Sequence, residues 1–177
     1  MRAKQIVFTQ PYKAELLERE IDEILAPHQA LVQSEYSIIS AGTEGAGFTG
    51  LIQEMPFVHN PNMYPQTTGY GHLGEVLEIG SGVTMCKKGD RVLSFSDHAS
   101  LVKADAVRFA LPVPRDTAGE KVVFARMAGV SISAVRSSTV QPGDTVLIIG
   151  LGLDWVWLGI SLHSFFNWLV LRWLRRN

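Results

Sequence analysis

The side chains best suited to chemistry near neutral pH are five histidines and one cysteine in a chain of 177 residues. Two of the histidines sit in glycine-containing or polar stretches: His72 in GYGHLGEV and His98 in SDHASLV. Each could serve as a metal ligand or a general base. The plainer reading, a capping or loop histidine whose ring nitrogens are already hydrogen-bonded, is preferred for both. Cys86 has no partner cysteine and no adjacent acid or histidine, so it reads as a small, partly buried side chain and not as a reactive thiolate. A glycine pair, Gly150 and Gly152, closes the apolar run QPGDTVLIIGLG. Taken alone, such a pair is an ordinary turn.

The elements that must position these residues are mostly short strands. KQIVFT (4–9) reads as a strand closed by Pro11, and ALVQSEYSIIS (30–40) as a partly alternating extended segment. ELLEREIDEI (15–24) fits an amphipathic helix and a strand equally. AGTEGAGFTG (41–50) is expected to be a glycine-rich loop, and residues 51–65, with Pro56, Pro61 and Pro65, irregular surface chain. GYGHLGEVLEIGSGV (69–83) suggests strand, glycine-rich turn, strand. RVLSFS and HASLVKAD follow as further strands around the KKGDRV turn. This spacing indicates a β-rich, barrel-like domain. From Glu120 to Val140 the chain turns apolar, small and free of proline, which predicts buried helix with a break at Gly129. TVLIIG then predicts a buried parallel strand. A β-rich part followed by helix and the start of a βα unit is the order of an all-β substrate domain ahead of a nucleotide fold.

Composition narrows the function classes. Sixteen basic against seventeen acidic residues leave a net charge of -1, with no basic excess to suggest nucleic acid. A single cysteine excludes an internal disulfide framework and a cysteine-rich zinc module. MRAKQIVFTQPYK lacks the apolar h-region of a secretory signal, so the expected location is cytoplasmic. No internal repeat or low-complexity run is visible.

Several pieces in one order, SAGTE (40–44), GYGHLGEVLEIGSGV, KKGDRV, HASLV, LPVP (111–114) and QPGDTVLIIGLG, make residues 1–153 resemble the medium-chain dehydrogenase/reductase superfamily. The resemblance implies a GroES-like substrate domain over 1–140, with flanking helices. It implies the first strand and glycine turn of an incomplete Rossmann domain over 141–153, and a non-family tail over 154–177. It also implies NAD or NADP as cofactor, hydride exchange with a small alcohol- or carbonyl-type substrate, and a homo-oligomer as one expected assembly. Gly150 and Gly152 match the first two glycines of the Gly-x-Gly-x-x-Gly pattern, but Trp155 stands where the third belongs. Zinc-type members hold their metal with a cysteine in the first motif and a His-Glu pair in the second. Here Ala41, Tyr70 and Gly71 occupy those positions, and the four-cysteine structural lobe is missing, so no metal is expected. Thr43 matches the hydroxyl that relays a proton to the substrate oxygen in those relatives. Thr43 and Tyr70 are therefore the candidate catalytic residues, each also compatible with a plain turn or packing role.

The tail breaks with the rest. All four tryptophans fall in the last 24 residues, which hold one acid and three arginines, whereas residues 1–153 carry a net charge of -3. Three readings compete for DWVWLGISLHSFFNWLVLRWLRRN. A membrane segment over 155–176 would be a short span followed by arginines. An amphipathic partner helix is disfavoured, because the aromatic residues surround the helix instead of forming a stripe. A reading-frame change is the third. Read from the last base of each codon, Asn167-Trp168 forces leucine, and permitted codons allow QLAGAEVVAAE, preceded by LGVVGNLAAQLF. Together these resemble a Rossmann turn, helix and acid-ended strand. The frame change is preferred. It would leave this chain a fragment without turnover; a membrane-tethered or partner-binding module without catalysis is the alternative.

Overall fold

The computed structural model describes residues 1–51, 63–141, 144–149, 152 and 167–171. The chain divides into two compact units, Met1–Val123 and Phe124–Asn177. In the first, β1 (Arg2–Gln10) and β2 (Lys13–Glu20) form an antiparallel hairpin. The same β1 pairs on its other side with β4 (Gln66–Thr67). A second, five-stranded antiparallel sheet runs in the order β7-β3-β5-β6-β8, from β3 (Gln29–Ile38), β5 (Gly71–Ile79), β6 (Arg91–Ser94), β7 (Leu101–Asp105) and β8 (Leu111–Pro112). Its core is built from small and β-branched side chains, among them Ala30, Val32, Val76, Val92, Val102 and Ala104. These pack closely between pleated surfaces. Cys86 is buried against that cluster, and burial pushes its thiol up, with the nearby Asp90 carboxylate adding to the effect.

Two short helices complete this unit, α1 (Ala41–Thr49) and α2 (Gly119–Val122). The second unit contains α3 (Ala125–Arg136) and a parallel strand pair, β9 (Thr145–Ile149) with β10 (Asn167–Leu171).

The strands expected at 4–9, 30–40, around RVLSFS, within HASLVKAD and at TVLIIG are present. Three local expectations need correction, and one open alternative is resolved. Residues 41–49, expected to loop, are helical because the Glu44 side chain closes the first turn, as described below. The ambiguous segment 15–24 resolves in favour of strand β2, because it zips residue by residue onto β1 from Arg2↔Glu20 to Phe8↔Ala14. Residues 71–79 form one uninterrupted strand instead of two around a turn. Gly74 is there for space, since a Cβ would overlap the Gln33 carbonyl oxygen on β3. The helical region breaks at Val123–Phe124, and Gly129 lies inside α3. The β9 strand, which would be an exposed orphan if the tail contributed nothing, has β10 as a parallel neighbour. Among the described residues no helix is long and apolar enough to cross a membrane.

Candidate functional site

Nothing local favours a helix at AGTEGAGFT, where each interior glycine costs about 1 kcal/mol relative to alanine. Ser40, at the N-cap, makes no side-chain capping bond. The cap comes from Glu44. Its backbone N–H donates to the Ser40 carbonyl (2.8 Å), and its Oε1 accepts the Ser40 N–H (2.7 Å). This variant of the capping box satisfies an amide that the helix itself leaves unpaired.

The other oxygen of Glu44 reaches across the fold. Oε2 accepts the Thr68 hydroxyl and the His98 Nε2–H, the latter at 2.8 Å. Glu44 and His98 are both buried, at 7% and 6% exposure, so the pair is shielded from water. With Glu44 Oε2 as acceptor, the proton of this bond is carried by Nε2. The other ring nitrogen, Nδ1, lies 2.8 Å from the Ser37 hydroxyl. A backbone bond and a side-chain bond lock the same junction: His98 N–H donates to the Thr68 carbonyl at 2.7 Å, and Gln5 Nε2 donates to Asp97 Oδ2 at 2.7 Å. The close approach requires Gly69, whose missing Cβ would overlap the Ser96 carbonyl and the Asp97 backbone.

Beside this cluster lies a cleft of about 340 Å³, walled by Ile6, Phe8, Ala14, Ile39, Ala41 and Phe48, with Glu44, Thr68 and His98 as its polar groups. An apolar concavity of this size with a few converging polar groups is the general form of a small-molecule site.

His72, the other buried histidine, is set in neutral surroundings. The Ser34 hydroxyl donates to the Ala99 carbonyl, so Ser34 Oγ must accept from His72 Nε2–H at 2.6 Å. Nδ1 is then the bare nitrogen and accepts the Ser94 hydroxyl at 3.0 Å, while Ser94 Oγ accepts from Ser96 at 3.0 Å. Burial, reinforced by His98, lowers the His72 pKa to about 4, so the ring is neutral at pH 7. Both histidines therefore have each ring nitrogen engaged, as the plainer sequence reading expects.

Thr43 stands exposed on the first turn of α1, next to Glu44, and Tyr70 is half-buried immediately before β5. The Glu44–Thr68 bond thus ties the segment carrying Thr43 to the one carrying Tyr70. Gly152 is exposed at a bend, while Gly150 and Trp155 lie outside the described residues. Glu44 is the residue that sequence reasoning missed. Its available signal was an acid four residues after Ser40, in a stretch dominated by glycine. Ala41 and Gly71 offer no side-chain donor, so the positions that resemble a zinc site do not fit the ion. Among the described residues no group of three His, Cys, Asp or Glu could hold a metal.

No family model matches the sequence, and no curated protein matches it. Solved structures do. This chain superposes over 96% of its length on (2R,3R)-butanediol dehydrogenase from Bacillus subtilis, with 20% identity and a TM-score of 0.76, covering 58% of that chain. An alcohol dehydrogenase from a Thermus species gives 0.79 at 16% identity, over 97% of this chain and 58% of its own. A putative zinc-binding dehydrogenase from Sinorhizobium meliloti, bound to NADP, gives 0.76 at 20% identity, over 96% and 55%. The chain has the medium-chain dehydrogenase/reductase fold. It spans just over half the length of these structures. At such identities the likeness establishes the fold alone.

Proposed function

We propose that this chain is the substrate-side part of a zinc-independent, NAD(P)-dependent medium-chain oxidoreductase acting on a small alcohol or carbonyl compound. Residues 1–140 are assigned to a GroES-like substrate domain and 141–153 to the first strand and glycine turn of the Rossmann domain. Residues 154–177 are assigned to the product of a frame change. The observation that carries the reading is the junction at α1. A buried carboxylate holds the Thr43 segment against the Tyr70 segment.

In the intact protein a bound nicotinamide cofactor supplies the hydride chemistry. Gly150 and Gly152 are the backbone positions assigned to approach its pyrophosphate. The β9 strand, ending at Ile149 just before Gly150, supports that assignment. With no metal to polarise the carbonyl, hydrogen-bond donors must do so. Thr43 Oγ1–H and the Tyr70 phenol are assigned to the substrate oxygen, one of them delivering the proton as the carbon is reduced. The chain of 177 residues is proposed not to turn over by itself.

The test begins with the coding DNA through codon 153 and beyond, followed by NAD(P)H oxidation by this chain and by the frame-restored protein with small aldehydes and ketones. Turnover is expected only after restoration, with Thr43→Val lowering it about 10²–10⁴-fold. Turnover by the chain as it stands, or an alternative frame that closes at once, would overturn this assignment. The second outcome would move a membrane-tethered tail to first place.

A further inference from the structure

The β1–β2–β4 sheet ends on β2, which among the described residues pairs with β1 alone. This is an eight-residue edge, and it carries two adjacent exposed leucines, Leu16 at 64% and Leu17 at 42%. A long open edge with exposed apolar side chains is a template for another strand. Its charges are of mixed sign: Lys13, Glu15, Glu18, Arg19 and Glu20. Scattered charges usually blunt an edge, so the question is whether any pairing accommodates them.

We propose that β2 is the dimer edge of this protein, pairing antiparallel with β2 of a second copy about a two-fold axis through Leu17. Symmetry restricts the possibilities. An antiparallel two-fold pairing has its axis perpendicular to the sheet. Facing residues then share a face, and the axis passes through a residue pair. Four such registers pair five or more residues of Lys13–Glu20, with the axis at Glu15, Leu16, Leu17 or Glu18. The axes at Glu15 and Glu18 set two glutamates face to face. An axis at Leu16 sets Lys13 opposite Arg19 twice. Only an axis at Leu17 avoids every directly opposed like pair. It places Glu15 opposite Arg19 of the second copy, twice by symmetry, and Leu17 against its own mate. Opposite charges facing across strands stabilise a pair and like charges oppose it, so the sequence selects one register of the four. The dimer would have a continuous six-stranded sheet, and the inference does not depend on the oxidoreductase reading.

Sedimentation equilibrium of the full chain is expected to show a monomer–dimer equilibrium. Glu15→Arg or Arg19→Glu alone is expected to weaken it by about tenfold or more, and the double exchange, which restores both facing pairs, to recover it. Register is read with cysteine. In the proposed pairing the two Cα atoms of residue 17 lie about 4.5–5.5 Å apart, within disulfide range, whereas those of residue 16 are about 8 Å apart. Under mild oxidation Leu17→Cys is therefore expected to cross-link and Leu16→Cys to remain uncrosslinked. A chain that stays monomeric overturns the proposal. So does a dimer indifferent to both single charge reversals, or one in which Leu16→Cys cross-links as fast as Leu17→Cys. All four positions lie on the surface strand, so these variants keep the core intact.

Discussion

The two buried histidines occupy one unit of the fold and do opposite things with their surroundings. His98 is joined to a carboxylate, and through it to the N-cap of α1 and to Thr68 just after β4, while its other ring nitrogen meets the end of β3 at Ser37. His72 is joined only to hydroxyls, in a one-way chain that ends on a backbone carbonyl. One arrangement sets a buried carboxylate beside a cleft and uses it to tether separate segments. The other keeps a ring neutral and uses it to brace strands β3, β5 and β6. The difference shows why burial alone does not mark a functional histidine. What distinguishes His98 is that its partner also shapes the helix turn bearing Thr43.

The widest separation between the two should come from removing the carboxylate. Glu44→Ala leaves His98 Nε2, the Thr68 hydroxyl and the Ser40 amide without their acceptor in a buried site. Breaking a buried pair from one side is expected to cost about 3–5 kcal/mol, read as a fall in urea midpoint. Glu44→Gln retains one acceptor oxygen and should cost less. Equal stability of Glu44→Ala and the parent would show that the tether holds nothing.

Acid should affect the other histidine next. The unfolded chain protonates His72 near the ordinary value of 6.5, whereas the folded chain resists until about 4. Below 6.5 the unfolded state therefore binds more protons, so stability is full above that value and falls as pH drops towards 4. The total loss from this group is about 3 kcal/mol. The imidazole resonances of His72 should stay those of a neutral ring down to about pH 4. A ring already charged at pH 6 would contradict the hydroxyl-only environment.

Much of this architecture was legible from local pattern, and the part that was not shares one cause. Strands such as β1, β3, β6 and β9 announce themselves through alternation or apolar runs bounded by turns. Both histidines were expected to have satisfied ring nitrogens, and both do. The helix at 41–49 was hidden because its glycines argue for a loop, and the group that overrides them acts at a distance. Glu44 finds Thr68 24 residues away and His98 54 residues away. The glycines of 69–83 misled in the same manner, suggesting a turn between two strands, whereas Gly74 lies within one strand because β3 approaches too closely for a side chain. For Glu44, the residue type was visible and the partners that give it meaning were not, because they are assembled only when the two sheets form.

The smallest expected effect tests the direction of the hydroxyl chain. Ser96 donates to Ser94 at the far end, and its loss in Ser96→Ala removes one hydrogen bond without stranding a donor on the ring. A cost of about 0.5–1.5 kcal/mol is expected. The ring should keep its proton on Nε2, because that choice is made at the other end, where Ser34 has already given its hydrogen to the Ala99 carbonyl. Ser34→Ala removes that constraint and should let the second tautomer appear in the ring ¹⁵N shifts. If Ser96→Ala moved the proton to Nδ1 and Ser34→Ala did not, the chain would run the other way, and His72 would be oriented from β6 instead of from β3.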